Sequence, residues 1–178
     1  MAKTSRPTAT EYAPNYEKYI SLVPGDDILS VLSAQLPQMA ATFSGRSERD
    51  GNFRYAPDKW SVKEVVGHFT DTERIMAYRA LCIARGDQTP ISGFEQDDYV
   101  RGGRFSPRKL ADLVAEFADV RIANLGFFRS LDAEAWGARG VANKSEVTVR
   151  ALAFIIAGHV FHHRGILEER YFAAIPRA

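Results

Sequence analysis

The sequence has few of the residues that mark specialised classes of protein. Its single cysteine, Cys82, cannot form an intramolecular disulfide, which fits a reducing compartment. No apolar run approaches the ~20 residues that span a bilayer, and the polar stretch from Met1 to Pro14 lacks the apolar core of a secretory signal. The formal net charge is only +1 and the basic residues are dispersed, so nothing favours nucleic-acid binding. We therefore expect a cytoplasmic protein that binds neither membranes nor nucleic acids.

Several common catalytic motifs are also missing from the sequence. It contains no glycine-rich phosphate loop, no nucleophile elbow and no zinc-knuckle spacing. The acidic run Glu95, Asp97 and Asp98 lacks the regular ligand spacing of a calcium loop and is interpreted as solvated. Cys82 follows His68 by 14 residues, which is about 21 Å along a helix, so it is too distant to act with that histidine.

What remains is the composition of an ordinary globular domain. The chain has 178 residues, of which 46% are hydrophobic and 25% are charged. A chain of this length fits one domain and buries on the order of 70% of its unfolded surface. We expect a partly ordered N-terminal arm over residues 1–23 and a single domain over residues 24–178.

Apolar periodicity and helix caps predict four long helices and no convincing strand pair. Ser61 and Glu64 form a capping box at the start of the second helix, and Pro37 predicts a kink or a break in the first. The segments between the helices are interpreted as loops, apart from a short helix around Asp132 to Trp136. This pattern indicates an all-α four-helix bundle, a scaffold that commonly holds metals between facing helices. The helices are predicted over residues 26–43, 61–85, 106–128 and 148–172.

The histidines are the strongest functional signal, because all four fall into two short clusters, His68 and the group His159, His162 and His163. Imidazole is the commonest metal ligand among side chains, and His159 and His163 lie about 40° apart on one helix face. An imidazole from a second helix completes three nitrogens with open coordination positions, the usual plan of a catalytic site. His68, His159 and His163 are the predicted ligands. His162 is the weaker candidate, although His159 and His162 could also chelate a metal.

A single histidine usually packs in the core with a polar partner. The pair here sits mid-helix on an apolar segment, residues 154–158, where two imidazoles without a shared partner would be costly. Glu64 and Asp71 flank His68 on its helix and are candidates to orient an imidazole or to accept a proton from bound water. Arg170 shares the face of His159 and His163 and is the candidate cofactor-binding residue.

Two motifs together resemble a known family. The segment from Trp60 to His68 (WSVKEVVGH), followed at a distance by Gly158 to His163 (GHVFHH), is similar to the DinB/YfiT-like superfamily over residues 25–172. The resemblance implies a four-helix bundle in up-down-down-up order, and its metal triad corresponds to His68, His159 and His163. It also implies zinc or nickel as the metal and a homodimer.

The resemblance also suggests a reaction. Some members of the superfamily are thiol S-transferases that use bacillithiol or mycothiol, one branch isomerises maleylpyruvate with mycothiol, and many have no assigned activity. A divalent metal lowers the pKa of a thiol or a water that it binds. We therefore expect a metal-dependent thiol S-transferase that acts on small electrophiles with a low-molecular-weight thiol. A metal-dependent hydrolase is the close alternative, and a non-catalytic, stress-related binding protein is the third.

Overall fold

The computed structural model describes residues 5–175, and four long helices form its bundle. Within this range no helix is both long and apolar enough to cross a membrane. A 3₁₀ turn precedes the first helix, and a π-helical stretch follows the last. In chain order the elements are the turn Pro14–Tyr16, α1 (Glu17–Ile20), α2 (Ile28–Phe43), α3 (Glu48–Asn52), α4 (Val62–Ala84), α5 (Gln96–Gly103), α6 (Leu110–Arg129), α7 (Ala133–Gly137), β1 (Arg139–Ala142), β2 (Ser145–Thr148), α8 (Val149–Ile166) and the π-helical Leu167–Phe172.

The bundle helices α2, α4, α6 and α8 run up, down, down and up, as predicted. Two hydrogen bonds show that helices α2 and α8 are parallel. Gln35 donates to the Ala157 carbonyl, and further along both helices Arg164 donates to Gln38. Helix α4 runs opposite to α8 and parallel to α6. The residue pairs that show this are Trp60 with His163 and His68 with His159 for α4 and α8, and Phe69 with Phe117 and Glu73 with Arg121 for α4 and α6.

The two helices that carry the histidines begin at side-chain caps. The predicted capping box of α4 is present, since the Glu64 amide donates to Ser61 Oγ and the Ser61 amide donates to the Glu64 carboxylate. Thr148 caps α8 by accepting a hydrogen bond from the Ala151 amide. Both caps fix the registers of α4 and α8 relative to their preceding segments. Helix α2 continues through Pro37 without a break.

The prediction that the chain has no strand pair was wrong. Strands β1 and β2 form an antiparallel hairpin inside a segment interpreted as a loop. Its two-residue turn, Asn143 and Lys144, has φ values of 50° and 65°, which match the twist of paired strands. The sequence signal is weak because no glycine occupies the turn.

Two further loops contain short helices, and one long helix begins later than predicted. Helix α3 lies between α2 and α4, and α5 lies between α4 and α6. Helix α5 buries Val100 and carries Asp97 and Asp98 in its first turn, where acidic side chains interact favourably with the helix dipole. The sequence did not predict this helix, because Gly102 and Gly103 have low helix propensity. The helix predicted to begin at residue 106 begins instead at Leu110, as α6, with Lys109 as its N-cap residue.

The N-terminal segment packs directly onto the bundle. Ile20 and Val23 are buried in the core, and Arg6 donates to the carbonyls of Ile20 and Gly25. Helix α1 lies on α8 at Gly158, where an added Cβ atom would collide with the backbone carbonyl of Tyr19. Glycine therefore permits the close approach that places α1 beside the histidines of α8.

The contact at Gly158 gives a matched pair of substitutions. We expect Gly158→Ala to lower the free energy of unfolding by about 2 kcal/mol, because the obstacle is backbone and cannot rotate away. Gly165→Ala in the same helix meets nothing within 4 Å, so alanine's higher helix propensity should leave stability unchanged or raise it by up to about 1 kcal/mol. Urea denaturation measures both. Equal stabilities of the two variants would contradict the packing of α1 on α8.

Candidate metal centre

Three imidazoles converge where α4 crosses α8. The Nε2 atoms of His68 and His163 each lie 3.1 Å from His159 Nε2, and the three ring-nitrogen donors all lie within 4.8 Å of one another. The side chains are buried, with His68 3%, His159 5% and His163 9% exposed. The structure thus brings together the three histidines that the sequence singled out.

The donor set fits a small divalent ion. A neutral ring nitrogen offers either one N–H or one lone pair, so His159 Nε2 cannot satisfy both neighbours at once. A metal satisfies three lone pairs together. A Zn–N distance of about 2.0–2.1 Å places ligand nitrogens about 2.8–3.4 Å apart at angles of about 90–109°. Two of the three separations, at 3.1 Å, fall within that range, and the third, between His68 and His163, is at most 4.8 Å.

Burial keeps these imidazoles neutral near pH 7. It lowers the pKa of His68 to about 4. Burial, and after it the neighbouring imidazoles, also hold the pKa of His159 and of His163 well below the ordinary value of 6.5. Their lone pairs are therefore free of protons at neutral pH, which is the state that a metal requires.

The lowered pKa of His68 predicts how acid affects the metal-free protein. The unfolded chain takes up a proton on this residue near pH 6.5, whereas the folded chain does so only near pH 4. Between these values the unfolded state binds more protons, so the free energy of unfolding falls as pH falls, by about 3 kcal/mol from His68 alone. Urea denaturation of the chelated protein between pH 7.5 and 4 measures this slope. His68→Gln should flatten it, and an unchanged slope would contradict the burial argument.

Aromatic rings rather than carboxylates surround the three histidines. The Trp60 ring lies 4.6 Å from the His68 ring and stacks on His163, and the Tyr19 ring meets His159 edge-on at 5.2 Å. Tyr171, in the π-helical stretch, donates its hydroxyl to the Trp60 carbonyl at 2.7 Å. Within residues 5–175 no hydrogen bond joins these three imidazoles to a carboxylate. Ring packing is therefore what orients them.

The carboxylates predicted beside His68 have other partners. Glu64 accepts from the Ser61 amide and pairs with Arg54 at 2.7 Å; burial would raise its pKa, but these bonds outweigh burial and lower it. Asp71 pairs with Arg74 at 3.3 Å, and burial raises its pKa. An influence of either residue on the histidines remains a prediction.

The other two candidates lie at the edge of this cluster. The ring of His162 is half-buried, 5.1 Å from the His163 ring and 5.3 Å from Tyr19, and it is not among the three whose nitrogens converge. Arg170 is exposed, with its guanidinium 5.7 Å from the centre of the Tyr55 ring. Its cofactor-binding role also remains a prediction.

A pocket of about 290 Å³ opens beside His68 and His159. One stripe of α4 forms a wall, because His68, Thr72 and Arg79 lie within about 40° of one another on the helical wheel. The remaining walls come from the N-terminal segment, the 86–105 segment, the hairpin turn and α8. They include Lys18, Tyr19, Phe94, Gln96, Asn143 and Ile155.

The residues of this pocket were only partly visible in the sequence. Thr72 and Arg79 follow His68 at helical spacing, so the wheel could have identified them. Lys18 and Tyr19 could not be found that way, because tertiary packing of α1 on α8 brings them to the pocket.

Comparison with known proteins places the chain in a family. The DinB superfamily model matches residues 32–167, so the chain belongs to the DinB superfamily. A comparison with curated protein sequences finds no match.

Two solved structures share the fold. One is YfiT from Bacillus subtilis, described as "a probable metal-dependent hydrolase with an unusual four-helix bundle topology"; the TM-score is 0.72 at 14% identity, over 98% of this chain and 95% of that one. The other is a mycothiol-dependent maleylpyruvate isomerase, with a TM-score of 0.65 at 14% identity, over 84% of this chain and 63% of that one. At this identity both likenesses show the fold alone.

Proposed function

We propose that the protein is a metal-dependent thiol S-transferase. His68, His159 and His163 hold a zinc or nickel ion, and a low-molecular-weight thiol and a small electrophile bind in the adjoining pocket. The observation that carries this proposal is the convergence of three buried, neutral ring nitrogens beside that pocket. The fold shared with a mycothiol-dependent isomerase supports the thiol.

The chain's own residues supply binding and orientation. Trp60 and Tyr19 pack against the imidazoles and fix their directions. The pocket walls position the electrophile against His68 and His159. When bound, a divalent metal at such a site would lower the pKa of a thiol that it binds toward neutrality.

The proposed thiol transfer needs no reagent besides the thiol and the electrophile. The thiol sulfur forms a bond to the electrophilic carbon with its own electron pair. The bond from that carbon to the leaving group breaks, and the leaving group departs with that pair. The thiol proton is released to solvent, so no oxidant or reductant is needed.

Hydrolysis is the second candidate, favoured by the fold shared with YfiT, a probable metal-dependent hydrolase. Water would replace the thiol as the nucleophile, and an ester or amide would replace the electrophile. Because the same three histidines serve both reactions, the two candidates differ in whether a thiol is required.

Metal removal tests both candidates. We expect purified protein to contain zinc or nickel by elemental analysis and to join bacillithiol, mycothiol or cysteine to 1-chloro-2,4-dinitrobenzene. Chelation should stop this turnover, and either metal should restore it. Ester or amide turnover without thiol would favour hydrolysis. No turnover of either kind, with a protein partner retained, would favour the binding protein.

The cytoplasmic location and the homodimer expected from the sequence are also proposals. The homodimer is supported by the resemblance alone. Analytical ultracentrifugation of the full chain tests it, with a single species of about twice the 19.8 kDa chain mass expected.

A further inference from the structure

Lys18 brings a positive charge without a carboxylate partner to the pocket beside His68 and His159. The residue is exposed, and no ion pair joins it to an acidic side chain within residues 5–175. Its Nζ atom lies over the ring of Tyr19, 4.8 Å from the ring centre. An aromatic face attracts a cation at this distance, so the Tyr19 ring holds the ammonium at the pocket.

The Tyr19 ring also limits how far this ammonium lies from the histidines. Its centre is 5.2 Å from the centre of the His159 ring and 4.8 Å from Lys18 Nζ, so Nζ lies at most about 10 Å from the His159 imidazole. The charge of Lys18 acts over this distance. Burial and the neighbouring imidazoles lower the pKa of His159 most, and Lys18 lowers it further.

Little negative charge balances the positive charge at this site. Three neutral imidazoles leave the charge of a bound divalent ion uncompensated. Arg79 adds a second buried cation to the pocket wall, but it is only 2% exposed and donates to the Ser92 carbonyl, so a ligand cannot use it. Glu95 is the one carboxylate among the described lining residues, and it forms no ion pair with Lys18. A pocket of this charge attracts a ligand that is itself negative.

We propose that Lys18 binds the carboxylate of an acidic thiol, through charge-assisted hydrogen bonds from its ammonium. This subsite rests on the proposed function, because the sulfur is the end of the molecule that reaches the histidines. Lys18 is exposed whereas His159 is buried, so the carboxylate lies at the solvent side of the pocket and the sulfur lies inside. The limit of about 10 Å favours small thiols in which only a few bonds separate the two groups.

Calorimetry of the zinc-loaded full chain at low ionic strength tests this carboxylate subsite. The two probes are 3-mercaptopropionate and 3-mercaptopropionamide, which has nearly the same shape and no charge. We expect the acid to bind about five-fold more tightly than the amide, which is the effect of a favourable solvent-accessible ion pair. Added salt should reduce this preference, because salt screens exposed charges.

Three variants identify the residue responsible. Lys18→Gln removes the charge, so the acid should then bind no more tightly than the amide. Lys18→Arg keeps the charge and should keep most of the preference. Glu95→Gln removes the carboxylate of the same pocket, and it should leave the preference for the acid unchanged or increase it. Because Lys18 is exposed, its substitution should leave the free energy of unfolding unchanged.

Zinc affinity distinguishes a direct contact with the ligand from an effect through the histidines. Lys18→Gln removes a cation near the metal, so it should bind zinc as tightly as the parent or up to about three-fold more tightly. Weaker zinc binding in this variant would mean that Lys18 positions the histidines, and it would overturn the subsite.

The outcomes separate this subsite from the proposed function. Equal affinities of the parent for the acid and the amide, or a preference that persists in Lys18→Gln, would overturn the subsite and leave the metal and thiol chemistry intact. Binding of neither thiol to the zinc-loaded protein would overturn the proposed thiol transfer and the subsite together.

Discussion

His159→Ala is expected to weaken zinc or nickel binding at least about a hundred-fold and to abolish metal-dependent turnover. His159 Nε2 is central to the cluster, lying 3.1 Å from the Nε2 atoms of both His68 and His163. Residues that merely orient a ligand commonly contribute about 10–100-fold to metal affinity, so loss of a ligand itself should cost more. The measurement is competition with a chromophoric chelator, with elemental analysis of dialysed protein.

His162→Ala is the matched control on the same helix. Its ring lies outside the convergent three, so metal affinity should stay within a factor of about three of the parent. His163→Ala should behave like His159→Ala. If His162→Ala lost the metal while His163→Ala kept it, the ligand pair on α8 would be His159 and His162, the alternative that helical spacing leaves open.

The sequence predicted most of what positions the histidines. The capping box at Ser61 fixed the start of α4, and the spacing of His159 and His163 placed both on one face of α8. Helical spacing could not determine that His68 meets them, and only the family resemblance implied it, because that contact joins residues 91 positions apart and depends on the packing of α4 against α8. Local propensity carries no information on such a contact.

Glu64 and Asp71 show why a helical wheel cannot by itself identify the carboxylates that act on a histidine. The wheel gives the direction of Glu64 and Asp71 around α4, but neither their partners nor their position along the helix axis relative to the three clustered histidines. Arg54, from the preceding loop, accounts for Glu64, and Arg74 accounts for Asp71. Similarly, nothing local to residues 143–144 identified the hairpin, since its turn is stabilised by pairing across the two strands.

Helix α4 has two buried faces, one toward the pocket and one toward α6. The contacts of the face toward α6 fix the orientation of the face toward the pocket. His68, Thr72 and Arg79 face the pocket, whereas Glu73, about 100° around the helix from Thr72, faces α6. There Arg121 binds the Glu73 carboxylate at 2.7 and 2.8 Å. This ion pair fixes the rotation of α4, and therefore the direction in which the pocket stripe points.

Arg121→Met is accordingly expected to lower the free energy of unfolding by about 3–5 kcal/mol, because it leaves the buried carboxylate of Glu73 unpaired. The two side chains are 0% and 1% exposed, and Arg121 also donates to the Leu32 carbonyl and to Gln35. Urea denaturation at pH 7 measures the change.

Two further variants isolate the buried charge as the cause. Arg74→Met removes two solvent-accessible ion pairs, one with Glu116 between the same two helices and one with Asp71 on α4, and should cost less than about 1 kcal/mol. Adding Glu73→Leu to Arg121→Met removes the stranded charge and should restore a large part of the lost stability. If the double variant is no more stable than Arg121→Met alone, the loss comes from the bonds to Leu32 and Gln35, and α2 rather than α4 is the helix that Arg121 holds.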